Sequence, residues 1–533
     1  MPYIRKSARS WAGIALIAVL SACTPAANTP STTSEVPSAA PPHSQASDKP
    51  AAPPAPAEKP VQQEQADVVL VGSELEGLYL ARAAADEGLS VKIIDPRPAF
   101  GGQVLQGEML FLDAVSDGHG KSLHQGRVKE LFDGFKNGKI RKLAEFEQYF
   151  AKLSQGIPVE QGVSLEQVGA VQGPDGREHV KAVTYTAKDG TRRQLTAQTW
   201  VENTDSAELA SKLKVKRLPG LEAFYGQERI EYMSAGYMMK FKNVDWKAWM
   251  TAFNAMSDAE RRKKFGTAYL SESYALVFDG VTKAYKASDD RLFLRGLNAV
   301  YQRDGEVLIN ALLVYDINPA DPASVQYALD LGKKEMPLIL EHFRKSLPGW
   351  EKAELNGFPA HPYIREYNHY ETEYTLQVSD MLSGRMFPDN VSIAGYPLDL
   401  QGITSNKWGI EMGRPDKYGM PLRSFLLKGY DNIVMAGKNV GSTAIAYGSA
   451  RIQPNTSLAA ESIGVLLAQL HASGKPLTSV TGDDLAKLHQ TLASKHGIKL
   501  TGVVGDNKLA GWTKEELRKL DSGEINYPSY KRK

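Results

Sequence analysis

This 533-residue chain holds one cysteine, Cys23, and no His-Glu-x-x-His pair among its ten histidines. With no thiol after position 23, disulfide staples, thiol redox chemistry and cysteine-ligated clusters are excluded from the body. Scattered histidines without ligand spacing predict no metal site. Neither sign of charge prevails. Without residues 1–22 the chain carries 60 basic and 61 acidic side chains, and no basic stripe points to nucleic acid. Long hydrophobic runs are missing too. The apolar stretch from Trp11 to Leu20 is too short to favour a membrane span.

What the N-terminus does hold is Arg5, Lys6 and Arg9, then that apolar stretch, then Leu20-Ser21-Ala22-Cys23. A basic start, a short apolar region and small residues before a cut describe a secretory signal peptide over 1–22. The tetrapeptide resembles a bacterial lipobox, which predicts lipidation of Cys23 and a lipid-anchored protein exported to the bacterial cell envelope. No twin-arginine pair is present, so export is expected to be of the general secretory kind. Residues 24–66 hold ten of the 29 prolines among Ala, Ser and Thr. Such a segment cannot bury enough surface to offset its ordering entropy, so 23–65 is expected to be a disordered tether.

The run from Ala66 to Gly102 carries the strongest local signal. An apolar strand, Val68–Val71, ends at Gly72; a helix with small inner residues follows; a second strand, Val91–Ile94, closes on Asp95. This is the layout of a βαβ unit that holds the ADP half of a dinucleotide. Gly72 serves the tight turn, Gly77 the close packing of helix on strand, and Asp95 the ribose hydroxyls. The middle glycine of G-x-G-x-x-G is replaced by Glu74. Two unit charges about 4 Å apart at an effective dielectric near 20 interact by roughly 4 kcal/mol. A Glu74 carboxylate aimed at a pyrophosphate would therefore cancel much of the helix-dipole benefit.

Beyond Asp95 come Pro96, Arg97 and a second glycine pair, Gly101-Gly102-Gln103, expected to bring backbone amides to a phosphate. That second pair is commoner in FAD proteins than in plain NAD dehydrogenases. A helical stretch spans Gly126–Leu153, and alternating segments, Ile157–Val171, Val180–Thr186 and Gln194–Val201, predict strands with a hairpin turn at Asp189-Gly190. The last ends in Asn203-Thr204-Asp205, placed to turn beneath the nucleotide. Residues 212–400 break this rhythm and are expected to form an inserted α+β substrate or cap domain. The chain then returns through a buried strand ending at Gly437-Lys438 and a helix whose N-terminus, Pro454–Ser457, offers Asn, Thr and Ser as caps. The fold expected is α/β: a Rossmann-like domain from 66–211 and 401–500, the insert, and a tail over 501–533.

These residues resemble the bacterial FAD-dependent oxidoreductase family, related distantly to fumarate-reductase-type and glutathione-reductase-type flavoproteins. The resemblance rests on VGSELEG with DPRPAFGG, on YIREYNHYETEYTL, on GRMFPDNVSIAGYPLDLQG and on the run from Tyr418 to Gly464. It implies FAD as cofactor and contacts from Gly72, Ser73, Glu74, Leu75, Glu76, Gly77, Asp95, Pro96, Arg97, Gly101, Gly102 and Gln103. Val168, Asn203, Thr204, Asp205, Gly437, Lys438 and the helix start Asn455, Thr456, Ser457 and Leu458 complete the set. Family members often lack the middle glycine as well. Asn368 and His369 stand where relatives often carry arginines, and Gln401 where a histidine is expected, so the substrate is expected to differ.

For catalysis the candidates are Arg365 and Arg423 as carboxylate grips, His369 as proton carrier, Tyr370, and Tyr447 just before the capped helix. The reaction expected is hydride transfer between a small organic substrate and flavin N5, with an electron partner the sequence does not name. An amine- or amino-acid-oxidase-like enzyme using oxygen, and a non-catalytic binding lipoprotein that kept the fold, are the alternatives.

Overall fold

The computed structural model describes residues 61–531. The expected signal peptide, Cys23 and most of the tether lie outside the described residues. Among the described residues no helix is long and apolar enough to cross a membrane.

The expected βαβ unit forms as β1 (Gln62–Val71), α1 (Leu75–Asp86) and β2 (Val91–Asp95). β1 begins earlier than the tether boundary at 65 allowed. Its polar first residues, Gln62–Gln65, find partners at Arg193–Thr196, so extended backbone there is held by a ladder and not by apolar burial. After two amphipathic helices, Gly126–Lys136 and Leu143–Ser154, come β3 (Val159–Gln161), β4 (Ser164–Gln172), β5 (Glu178–Thr186) and β6 (Arg192–Glu202).

The sheet runs β3-β2-β1-β6-β5-β4. β1, β2, β3 and β6 are parallel, whereas β4 and β5 form an antiparallel hairpin with β6. β6 is eleven residues long and serves two neighbours on one edge. Its first half pairs with β5, and Trp200–Glu202 pair in parallel with the strand Ile433–Met435. The chain thus re-enters the first sheet after the insert. Asn432 locks that return, accepting from Val180 N at 3.0 Å and donating to Val180 O at 2.8 Å.

The insert builds a second, antiparallel sheet from strands within 235–355, with Val307–Val314 buried along its whole length. The helix Pro322–Ser346 lies flat on it. Gly332 permits this, because a Cβ there would sit 2.1 Å from the Tyr237 ring. This sheet has its own core, running from Ala235 to Ile364. The stretch from Leu376 to Leu400, expected in the insert, packs instead in the core of the first layer. Its apolar residues are met there by the helix Gln453–His471, to which Asn390–Ala394 is tied by Ser392 Oγ donating to Asn455 O. The expected tail also folds. Helix Lys514–Asp521 is capped by Thr513, and Leu520 and Ile525 are buried against the same core.

Gln453–His471 packs along α1. Gly464 sets their separation, since a Cβ at that position would lie 2.5 Å from Leu80 O. The two helix N-termini and the C-terminal ends of β1, β2 and β6 therefore gather on one side of the sheet, the position at which α/β folds bind ligands.

Candidate active site

β1 stops at Gly72, whose φ of +98° turns the chain sharply and whose N–H donates to Ile94 O at 2.8 Å. A Cβ there would lie 2.4 Å from Asn203 O, and one at Gly77 2.0 Å from Asn203 Nδ2. Asn203 fills this space deliberately placed side by side with the turn: its Nδ2 donates to Glu74 O at 2.9 Å and its Oδ1 accepts from Gly77 N at 3.2 Å. One side chain at the end of β6 thus fixes the entry of α1. The N-cap residue Glu74 adds no side-chain cap of its own, so beyond the Gly77 amide taken by Asn203 the positive end of α1 remains suited to an anion.

The Glu74 side chain turns away from α1 toward the second glycine loop. Its Oε1 accepts from Arg97 Nη2 at 2.8 Å and its Oε2 from Gln103 N at 2.9 Å, over the bare Cα of Gly102. Gly101 N donates to Ser73 Oγ at 2.8 Å, and Ser73 Oγ in turn bonds Asp95. The amides of this loop, expected to approach a phosphate, are therefore engaged by Ser73 and Glu74. The carboxylate has taken the anion's place there. Arg97 also pairs with Asp205, whose other contact is His361 Nε2 at 3.3 Å. Burial disfavours the Arg97 charge, but Asp205, Glu74 and Asp95 outweigh it and hold its pKa above the ordinary value. Asp95 accepts from Arg97 N at 2.8 Å, and burial raises its pKa. Pro96 completes that turn, partly buried.

Glu76, in the first turn of α1, is 1% exposed. Its Oε1 accepts from Thr456 Oγ1 at 3.3 Å, while Oε2 has no partner among the described residues. Burial, then the charge of Glu74, push its pKa up to about 7. Gly437 lies beside it, at a φ of +62°, and Leu75 turns its side chain into the core. Next to Gly437, Lys438 spans two loops, donating to Gln103 Oε1 at 3.0 Å and to Ile364 O at 2.7 Å. Thr204 O accepts from Asn439 Nδ2 at 3.0 Å.

The helix expected to be capped by Asn455, Thr456 or Ser457 starts earlier. Ile452 is its N-cap, Gln453 its first residue, and Pro454 stands at a position where the missing N–H costs nothing. Asn455 instead donates to Ser449 O at 3.0 Å, Ser457 Oγ is buried without a partner, and Leu458 is core. Only Thr456 of these four reaches Glu76. The expectation for Val168 also fails geometrically. It stands out on the β4–β5 hairpin opposite Val183, whereas Val163 is the residue whose N–H reaches Asp95 O, at 3.2 Å.

Of the catalytic candidates, three are brought together. Tyr447 OH donates to Arg365 O at 3.0 Å, and the His369 ring stands edge-on to Tyr447 at 4.4 Å. His369 Nε2 lies 2.7 Å from Glu366 Oε1, and both side chains are buried. Tyr370 and Arg423 are elsewhere. Tyr370 packs beside Asn368 in the apolar cluster that holds Val69, Val71, Trp200 and Tyr430. Arg423 is half-exposed and bonds Asp389 at 2.9 and 3.2 Å, an ordinary ion pair.

Sequence reading missed Arg451, Tyr363, His361 and Val163. A cavity of about 20 Å³ is lined by Gln103, Tyr363, Lys438, Arg451 and Gln453, so these residues meet where the helix Gln453–His471 begins. Their separation in the chain left no local signal. His119, Asp416 and Asp506 also converge, but Asp416 already accepts from Gly118 N at 2.7 Å and Asp506 N at 2.9 Å, so the trio is a loop tie.

An α1 terminus met only by Asn203, an acid closing β2, glycines at each point of close approach and a buried orphan oxygen on Glu76 together suit a dinucleotide. Over 117 residues the chain is 30% identical to thiamine thiazole synthase of Archaeoglobus fulgidus, a match spanning 20% of this chain and 42% of that protein. Among solved structures it is similar to a geranylgeranyl bacteriochlorophyll reductase-like protein of Thermoplasma acidophilum, at 12% identity over 88% of this chain and 98% of that one, with a TM-score of 0.36. It is similar also to p-nitrophenol 4-monooxygenase of Pseudomonas putida, at 11% identity over 80% and 84%, TM-score 0.36. A sequence model described as FAD dependent oxidoreductase matches residues 67–492, taking in both sheets and the returning helix. The chain belongs to the FAD-dependent oxidoreductase family, and FAD is its cofactor.

Proposed function

We propose that this protein is an exported, membrane-tethered enzyme that passes a hydride between a small organic substrate and FAD. The observation that supports it is the closure of three distant segments on one interior. Lys438 joins the Gly101–Gln103 loop to Ile364, and Tyr447 joins the helix before Arg451 to Arg365. Bound FAD supplies the two-electron chemistry at its N5. The chain must position the substrate and manage a proton. His369, held by Glu366 at 2.7 Å, is the proton carrier in this reading, and Tyr447 keeps the Arg365 backbone in place.

The tether reading rests on Leu20-Ser21-Ala22-Cys23, with the proline-rich stretch behind it. Lipid on Cys23 would hold the body at a membrane surface.

Two measurements test this. The mature protein is purified and its visible flavin absorbance recorded before and after denaturation. A yellow protein that releases FAD, and is reduced and re-oxidised by a quinone or dye, supports the reading. A colourless protein that takes up no added FAD overturns it, and peroxide release with amines would replace it with an oxidase. For the anchor, Cys23→Ser in a bacterial host should release the protein from the membrane fraction; an unchanged distribution sinks the tether.

A further inference from the structure

Three buried or half-buried arginines face one another where the inserted sheet meets the helix Gln453–His471. Arg365 is 2% and Arg451 6% exposed. Arg295 stands between two strands of the inserted sheet. None of the three forms an ion pair among the described residues. Their partners are neutral. Arg365 donates to Ser234 O at 2.7 Å and Asn310 Oδ1 at 3.1 Å, Arg295 to Gln401 Oε1 at 2.5 Å, and Arg451 to Tyr363 OH at 3.4 Å and to the backbone Asp399 O at 3.5 Å. The Nε of Arg295 and that of Arg451 have no partner among the described residues.

Two carboxyls, Asp399 and Asp113, lie among these cations and offset part of their charge, but neither is within ion-pair distance of an arginine among the described residues. Asp399 Oδ2 accepts from Gln401 Nε2 at 2.6 Å, and Asp113 is bonded to Tyr396. Burial, then Asp399, push Asp113 toward its neutral form. Lys438, also without an ion pair, adds a further cation at the same cavity. The arginines differ in how their surroundings treat the charge: at Arg451 burial is outweighed by Tyr363 and Asp399, which hold its pKa above the ordinary value. Burial, then Arg295, lower the Arg365 pKa to about 9. Burying an unpaired charge costs several kcal/mol, so a cluster of this kind is completed by an anion from outside.

Resting on the flavoenzyme reading above, we propose that Arg451 and Arg295, with Arg365 behind them, bind the substrate through a carboxylate, so that the substrate is a small organic acid. The planar fork of a guanidinium matches a carboxylate in a way that a single ammonium does not. The cavity beside Arg451, about 20 Å³, is lined also by Asp113 and has room for a group about the size of one water. Gln453, the first residue of the helix Gln453–His471, also lines it, and a helix N-terminus favours negative charge. Gln401 then acts as a positioning residue, since it holds Arg295 and Asp399 at once. That explains how a glutamine serves where relatives are expected to carry histidine.

The test uses the FAD-loaded mature protein, titrated with acetate and succinate, and with acetamide and succinamide as uncharged counterparts. Binding is read by perturbation of the flavin spectrum and, independently of flavin, by calorimetry. The expected result is saturable binding of an acid and none of its amide. Arg451→Met and Arg295→Met should each weaken it about tenfold or more at unchanged FAD content. Arg451→Lys, retaining charge without the fork, should fall between. Arg295 is less buried than Arg451, so its variant serves if Arg451→Met fails to fold. Failure of both acids to bind, or equal binding of acid and amide, overturns the proposal. So does an Arg451 variant that loses FAD affinity while keeping acid affinity, which would assign the cation to the cofactor. A protein that binds acids by calorimetry but holds no FAD would instead overturn the flavoenzyme reading alone.

Discussion

Glu74 Oε1 lies 2.8 Å from Arg97 Nη2, so the residue that replaces a motif glycine is neutralised by the arginine that follows Asp95. Charge at this loop is therefore shared among Glu74, Arg97 and Asp205 and not aimed at the helix end. Glu74→Gln keeps the Gln103 amide bonded and removes one acid from Arg97. Denaturant unfolding should show a loss of about 1–3 kcal/mol. FAD titration by fluorescence should show tighter binding, because Arg97 is then freer to meet phosphate. Weaker binding would mean that the carboxylate organises the loop for the cofactor.

Gly77→Ala would place a methyl group 2.0 Å from Asn203 Nδ2. Asn203 cannot yield without releasing both Gly77 N and Glu74 O. The variant should lose about 2–3 kcal/mol of stability by chemical denaturation. Pairing it with Asn203→Gly should recover part of the loss by making room. No recovery would place the strain elsewhere.

Burial, then the charge of Glu74, push the Glu76 pKa from an ordinary 4.5 up to about 7. A raised acid keeps its proton longer when folded, so its contribution to stability is full below about 4.5 and lost as pH rises through about 7. The melting temperature of wild type should therefore fall between pH 5 and pH 8 more than that of Glu76→Gln, by about 2 °C. Parallel profiles would show that Glu76 ionises normally.

Arg423→Ala tests a residue that the structure separates from the site. Its ion pair with Asp389 is half-exposed, and its loss should cost under about 1 kcal/mol. FAD content and acid binding should not change. A loss of either would return Arg423 to the site.

The first βαβ unit was legible because every signal in it is local: an apolar strand, a glycine at the turn, a helix with small inner residues and an acid closing the next strand. The second sheet was legible only as a change of rhythm. Its inner edge at Ile364 was not, since residues 376–400 are as apolar as the insert and only the packing against Gln453–His471 assigns them. Val168 lay in a stretch legible as a strand, but its place on the β4–β5 hairpin opposite Val183 is set by pairing that no count along the chain reveals. Arg423 drew attention as an arginine in a matching run, although its partner, Asp389, lies 34 positions away. Arg451, Arg295 and Arg365 come from three segments, and their meeting without a direct ion pair among the described residues is a property of the fold alone.

β6 bears on how this chain tolerates length changes. Its eleven residues hold the hairpin on one half and the returning strand on the other, and its end delivers Asn203 to Gly77. A single insertion between Thr196 and Trp200 would exchange the two faces of everything beyond it. Trp200 would leave the core, and Glu202 and Asn203 would both miss their loops. Surface loops of the inserted sheet can lengthen without such cost. Natural variation in length should therefore gather in the insert, and β6 should keep a constant count of residues.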